Sequence, residues 1–227
     1  MKNKLWVISL GGSRIIPEDV DYKFLEDFKN LIYSHKSHKF VVVTGGGSTA
    51  RRYINALRKL NRTTRSQSLS GIAVTRFHAG FMSRFFGKPA NEIVPRNMRK
   101  VKNLLLKNQI VFCGALRYEE KNTSDGTAAN LAAFLECPFI NLTNVKGLYT
   151  SNPIKNKKAK FIKNISWKDF NNRAKKIKYE AGQHFVLDQN AAKIIKDGKI
   201  PTYIIGSLSD MDYIVRGKKF VGTIVEG

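Results

Sequence analysis

Short apolar runs alternate along the chain with stretches whose apolar residues recur every three or four positions. Leu5 to Leu10 is one such run, stopped by Gly11-Gly12-Ser13, and it predicts a buried parallel strand. The same reading treats the start of the chain as this strand and not as a signal peptide. Pro17-Glu18-Asp19 then predicts a helix start, with Phe24, Leu25, Phe28, Leu31 and Ile32 at helical spacing. Phe40 to Val43 is β-branched and stops at Gly45-Gly46-Gly47; Ser48 is the expected N-cap of a helix whose apolar face carries Tyr53, Ile54, Leu57 and Leu60. The opening order is therefore β-α-β-α, with a glycine turn after each strand.

Further along, Asn61 to Ser70 is polar and predicts a loop, and Ile72 to Phe86 shows mixed helical spacing. Ile93-Val94 predicts a short strand, Met98 to Leu106 a helix, Gln109 to Cys113 a strand, Ser124 to Leu135 an alanine-rich helix and Phe139 to Leu142 a strand. Gly147 to Lys160 reads as a basic loop, Trp167 to Lys178 and Asp188 to Lys196 as helices, Thr202 to Ile205 as a strand, and Tyr213 to Val225 as a β-hairpin. Strands alternating with helices predict an α/β, three-layer αβα sandwich around a mainly parallel sheet. The 227 residues contain no clear linker and no repeat, so residues 1–227 are expected to form one domain.

Charge changes the picture. Forty Lys and Arg against 17 Asp and Glu give a net charge of +23, which suggests an anionic partner. The lysines are scattered, with no aromatic ladder among them, so a solvated surface or a site for phosphorylated small molecules fits better than nucleic acid. No apolar run approaches the ~20 residues of a membrane helix. Cys113 and Cys137 cannot make a disulfide framework, and the expected setting is reducing and cytoplasmic. His35, His38, His78 and His184 form no metal or catalytic pattern; His35 and His38 are expected to be solvated, and no metal ligands are assigned.

In an open α/β sheet, ligands bind beyond the carboxyl ends of the strands. Those ends carry Gly11-Gly12-Ser13, Gly45-Gly46-Gly47, Gly114 and Thr143-Asn144. Glycines there let backbone N–H groups approach phosphates, although neither turn matches a P-loop or a dinucleotide fingerprint. Arg51 can fold back over a phosphate or be an ordinary helix arginine. Thr123-Ser124-Asp125 is an N-cap, or a set of hydroxyls and a carboxylate for a substrate. Lys193 is a surface lysine or a cation for phosphoryl transfer.

Taken in order, Ile8 to Ser13, Val43 to Arg51, Thr123 to Asp125, Thr143 to Pro153 and Asp188 to Lys193 resemble the amino acid kinase family, most closely its archaeal-type uridylate kinases. The resemblance covers nearly the whole chain. It implies ATP on the C-terminal half and the acceptor, UMP, on the N-terminal half, in pyrimidine nucleotide biosynthesis. By resemblance, Gly12, Ser13, Gly47 and Arg51 hold ATP phosphates, and Thr143, Asn144, Tyr149 and Asn152 frame the adenosine. Gly46, Ser68, Gly114, Thr123 and Ser124 serve the acceptor, and Lys193, Asp125 and Arg51 are the catalytic set. Mg²⁺ accompanies ATP, and a homo-oligomer, a hexamer, is implied.

Four departures from the family pattern stand out. Ser9 occupies a position that is lysine in many members, Lys146 and Asn152 replace aspartates, and Ser68 replaces an aspartate expected on the UMP ribose. The glycine-rich acceptor loop is rebuilt as Ala115 to Asn122. The alternatives these leave open are a sister kinase for another small phosphate or carboxylate, and a non-catalytic nucleotide-binding or storage protein of the same fold.

Overall fold

A computed structural model describes residues 4–120, 122–151, 153, 156–176 and 188–227. In the main sheet β1 (Leu5–Leu10) is an inner strand, flanked by β2 (Lys39–Thr44) and β4 (Phe139–Leu142). Beyond β2 lies β3 (Ile110–Cys113). Beyond β4 lie β8 (Thr202–Ile205), β9 (Thr223–Val225) and β7 (Asn164–Ile165). Strands β3, β2, β1, β4 and β8 are mutually parallel; β9 runs antiparallel to β8. The strands pair with their carboxyl ends aligned: Leu10 lies beside Thr44 and Leu142, Val43 beside Cys113, and Leu142 beside Ile205. The chain moves outward from β1 to β2 and β3, then returns to the other side of β1 with β4. Between β1 and β4 the strand order therefore reverses, the place where such sheets open a crevice.

Side chains alternate between the two faces with period two, and this explains why the strands read as continuous apolar runs. Trp6, Ile8 and Leu10 with Phe40 and Val42 pack beneath α2 (Tyr22–Ser34), α4 (Thr64–Phe86) and α9 (Leu208–Arg216). Val7, Val41, Val43 and Val111 face α5 (Met98–Lys107), α6 (Ser124–Leu135), α7 (Trp167–Lys175) and α8 (Gln189–Asp197). Ser9 shares the parity of Val7 and so points toward α6. Short α1 (Gly12–Ile15) and α3 (Gly47–Lys59) follow the first two strands directly.

Several expectations are corrected. The polar stretch 61–70 is mostly helix, because Thr63 caps α4 by accepting from Ser66 N and the first turns of α4 are largely exposed. Ser48 does not cap α3; Gly46 holds the cap position. The first long helix begins at Tyr22, with the Asp21 carboxylate accepting from Phe24 N at 3.0 Å. Ile93-Val94 is not a strand. The basic loop contains β5 (Leu148–Tyr149), which pairs with β6 (Phe161–Ile162).

The tail is not a hairpin. Met211, Ile214 and Val215 bury one face of α9, Ser207 caps it, and Gly217 at φ +69° ends it. Its last strand then pairs with β8. His35 is not solvated: it is 6% exposed and bonds Asp212 through Nε2 at 2.8 Å. The helix expected over Trp167 to Lys178 is described as far as Lys175.

Candidate active site

The two glycine turns touch through their backbones. A methyl group on Gly12 would stand 2.6 Å from the Gly45 carbonyl oxygen, and one on Gly47 would stand 2.6 Å from the Gly12 carbonyl carbon. No side chain fits at either place. Gly47 adds φ +60°, a conformation that favours glycine. Gly45 N also donates to Leu10 O at 2.8 Å, tying the end of β2 to that of β1. The N-terminus of α3 leaves this seam, so its N–H groups and positive dipole end lie at the carboxyl edge of the sheet. Gly12, Ser13, Gly46 and Gly47 are thus brought together. Arg51, half-buried one turn into α3, has no polar partner among the described residues.

Facing this seam from the α6 side is a carboxylate network. The Ser9 hydroxyl donates to Asp125 Oδ1 at 2.5 Å. Thr123 caps α6, its hydroxyl accepting from Asp125 N at 3.1 Å and Gly126 N at 3.3 Å. That same hydroxyl donates to Asp188 Oδ2 in a short hydrogen bond, while Asp188 Oδ1 caps α8 by accepting from Ala191 N at 2.6 Å. Loss of solvent is the main cause of an Asp125 pKa pushed up to about 7; the Ser9 bond opposes it and the Asp188 charge adds to it. Asp188 is raised as well, again chiefly by burial.

At the end of β3, Gly114 lies against the Thr75 backbone of α4. Ala115 N donates to Thr75 Oγ1 at 3.0 Å. Arg76 donates through Nε to Ala115 O at 2.9 Å and through Nη2 to Leu116 O at 2.7 Å. The Arg65 guanidinium sits 5.8 Å from the Tyr118 ring centre, so the rebuilt 115–122 segment is fastened to α4 at two points. Ser68 lies half-buried on α4, and Ser124 is the first residue of α6. Beneath the glycine seam the wholly buried His78 donates Nδ1–H to Gly45 O at 2.8 Å. Burial lowers its pKa and keeps it neutral.

On the other side Thr143 and Asn144 follow β4, with Thr143 Oγ1 3.3 Å from Asn144 Oδ1. Tyr149 lies in β5, edge-on to Phe161 at 5.4 Å. Asn152 lies outside the described residues. Lys193 is turned outward: its side chain is 69% exposed and its ammonium is 2.8 Å from Asp197, one turn further along α8. The structure does not gather it with the glycine turns; helical spacing hands it the nearer carboxylate instead. Thr123, expected on the acceptor, has its hydroxyl occupied by the cap and by Asp188.

Sequence reasoning missed Asp188 as a partner of Thr123, the Ser9 contact and the Arg76 clamp. Only the parity of Ser9 with Val7 along β1 held a clue.

The amino acid kinase family model matches residues 4–206. The uridylate kinase of Thermococcus kodakarensis is 33% identical over 224 residues, covering 97% of this chain and 98% of its own. That of Thermoplasma volcanium is 31% identical, covering 99% and 98%. The crystal structure of uridylate kinase from Archaeoglobus fulgidus superposes with a TM-score of 0.85 at 31% identity, covering 99% of this chain and 100% of that one.

Proposed function

The chain belongs to the amino acid kinase family, and on that premise we propose that it transfers the γ-phosphoryl group of ATP to the phosphate of UMP. An acceptor phosphate oxygen bonds to the γ-phosphorus, the bond to the β,γ-bridging oxygen breaks, and UDP and ADP leave. The observation that carries this reading is the seam between Gly12 and Gly47, where two backbone turns from adjacent strands meet with no room for a side chain. Such a seam presents N–H donors to two phosphate groups at once. Transfer of this kind needs alignment and positive charge more than covalent chemistry.

In this reading the C-terminal half takes ATP and the N-terminal half takes UMP. Gly12, Ser13 and Gly47 cradle donor phosphates, and Arg51, free of protein partners among the described residues, swings onto them. Asp125 and Ser9 fix the base of the crevice. Gly46, Gly114 and the 115–122 segment border UMP, with Arg76 holding that segment's carbonyls. The donor set fits Mg²⁺ that arrives with the phosphates rather than in a protein cage: no three His, Cys, Asp or Glu side chains gather among the described residues. When bound, Mg²⁺ neutralises charge on the phosphate oxygens. A hexamer is part of the same reading.

The test is a coupled assay with ATP and Mg²⁺ over UMP, CMP, AMP, GMP and small phosphorylated acids. Turnover of UMP supports the proposal. Turnover of a small acid alone would move the assignment to a sister kinase, and no turnover with retained ATP binding would move it to a binding protein. Light scattering on the intact protein checks the hexamer.

A further inference from the structure

Arg14 follows the glycine turn immediately, yet it reaches away from its own strand. Its Nε and Nη2 donate to Thr143 O at 3.2 and 2.6 Å, and Nη2 also donates to Gly206 O at 2.5 Å. Thr143 and Gly206 are the first residues past β4 and β8. The two are themselves locked together: Thr143 N donates to Ile205 O at 2.9 Å, and a methyl group on Gly206 would stand 2.7 Å from Val145 O. The guanidinium rests over the Phe24 ring, 5.5 Å from its centre. One side chain therefore joins three parts of the carboxyl edge, on both sides of the point where strand order reverses. Burial lowers the pKa of this arginine, which stays charged throughout the working range. Its Nη1 edge has no acceptor among the described residues.

We propose that Arg14 is a positioning residue for the donor nucleotide, fixing the distance between the turn that takes phosphate (Gly12-Ser13) and the loop that takes the nucleoside (Thr143 to Lys146). The inference rests on the reading of this edge as the ATP half. A bidentate guanidinium fork holds two carbonyls at fixed geometry in a way a lysine point charge does not. With the fork in place, adenosine and triphosphate are engaged at the same time and their contributions to binding reinforce each other. Without it, the loop after β4 drifts relative to the glycine turn, and each added phosphate gains less.

The experiment compares calorimetric binding of adenosine, AMP, ADP and ATP to the intact protein, to Arg14→Met and to Arg14→Lys, with melting temperature recorded for each. Adenosine is expected to bind all three proteins within about twofold. The gain in affinity from adenosine to ATP should shrink by on the order of tenfold or more in Arg14→Met. Arg14→Lys, which keeps the charge and loses the fork, should fall between the two. In steady state, the KM for ATP should rise while that for UMP holds. A uniform loss across the four ligands, or a fall in turnover with both KM values unchanged, would reduce Arg14 to a structural role and overturn the proposal. A wild-type protein that binds no adenine nucleotide would remove the kinase reading and this inference together. Normal ATP binding with no difference between the variants would remove this inference alone.

Discussion

Ser9 and Asp125 lie 116 residues apart in the chain, and the Ser9 hydroxyl donates to the Asp125 carboxyl across 2.5 Å. The bond exists because Ser9 points to the α6 face of the sheet, where the first turn of α6 brings Asp125 over the end of β1. A small hydroxyl there leaves the carboxyl in a dry place with no cation beside it among the described residues, and its proton is held accordingly.

The sign of the resulting pH dependence is fixed. Burial pushes the Asp125 pKa in the folded chain up to about 7, against about 3.9 for an ordinary aspartate. Between those values the folded state keeps a proton that the unfolded state has released, so stability falls as pH rises from about 4 to about 7. Asp125→Asn lacks this loss. Thermal melts should find the variant more stable than wild type at pH 8, by on the order of a few kcal/mol at most, with the difference vanishing near pH 4. A variant less stable than wild type at pH 8 would refute the buried-acid account. Its kinase activity should be strongly reduced.

Arg51 makes no polar contact with the described protein, so its removal should cost little stability. Arg51→Ala is expected to melt within a degree or two of wild type while the KM for ATP rises and turnover falls by about 10²-fold. Unchanged kinetics would take Arg51 out of the site.

Lys193 gives the opposite expectation. Its pair with Asp197 is exposed and screened by solvent, so it contributes little to stability. Lys193→Ala should therefore leave the melting temperature within a degree or two of wild type and turnover within about twofold. A loss near 10²-fold with an unchanged melting temperature would show that the lysine leaves Asp197 to meet the transferring group.

Arg76 tests the proposed acceptor side apart from the proposed donor side. It holds the carbonyls of Ala115 and Leu116, so Arg76→Leu frees the segment proposed to border UMP. The expected result is a higher KM for UMP with the KM for ATP unchanged. In the wild type, specificity constants for UMP against CMP, AMP and GMP should show weak base discrimination, since the segment has lost its glycines and their close backbone approach. A strong preference for UMP would mean that Tyr118 and its neighbours restore selectivity by side-chain contact.

How far the fold could be read from the chain depended on what each element buries. Phe40 to Val43 and Phe139 to Leu142 are buried on both faces, so their apolar runs marked them plainly. The first turns of α4 are largely exposed and polar, and nothing in their composition separates them from a loop; the Thr63 cap decides the matter locally. Gly217 and Gly222 suggested a hairpin, yet Gly217 ends a helix whose buried residues are only Met211, Ile214 and Val215. Of the candidate site, the glycine turns were legible because close backbone approach demands glycine. The Asp188 partner of Thr123, the Asp125 partner of Ser9 and the carbonyl partners of Arg14 were not. Each lies more than 60 residues away, and only strand order brings it near.

The inner place of β1 also has a consequence for how the molecule comes together during synthesis. One neighbour, β2, starts at Lys39, but the other, β4, starts only at Phe139. A growing chain therefore carries both glycine turns for some hundred residues while one edge of β1 is still unpaired. An open apolar edge of that kind invites pairing with other chains, and long-range closure of this sort slows folding. The crevice becomes complete only when β4 and then β8 zip onto that edge, which makes its appearance a late event and a direct report that the whole sheet has closed.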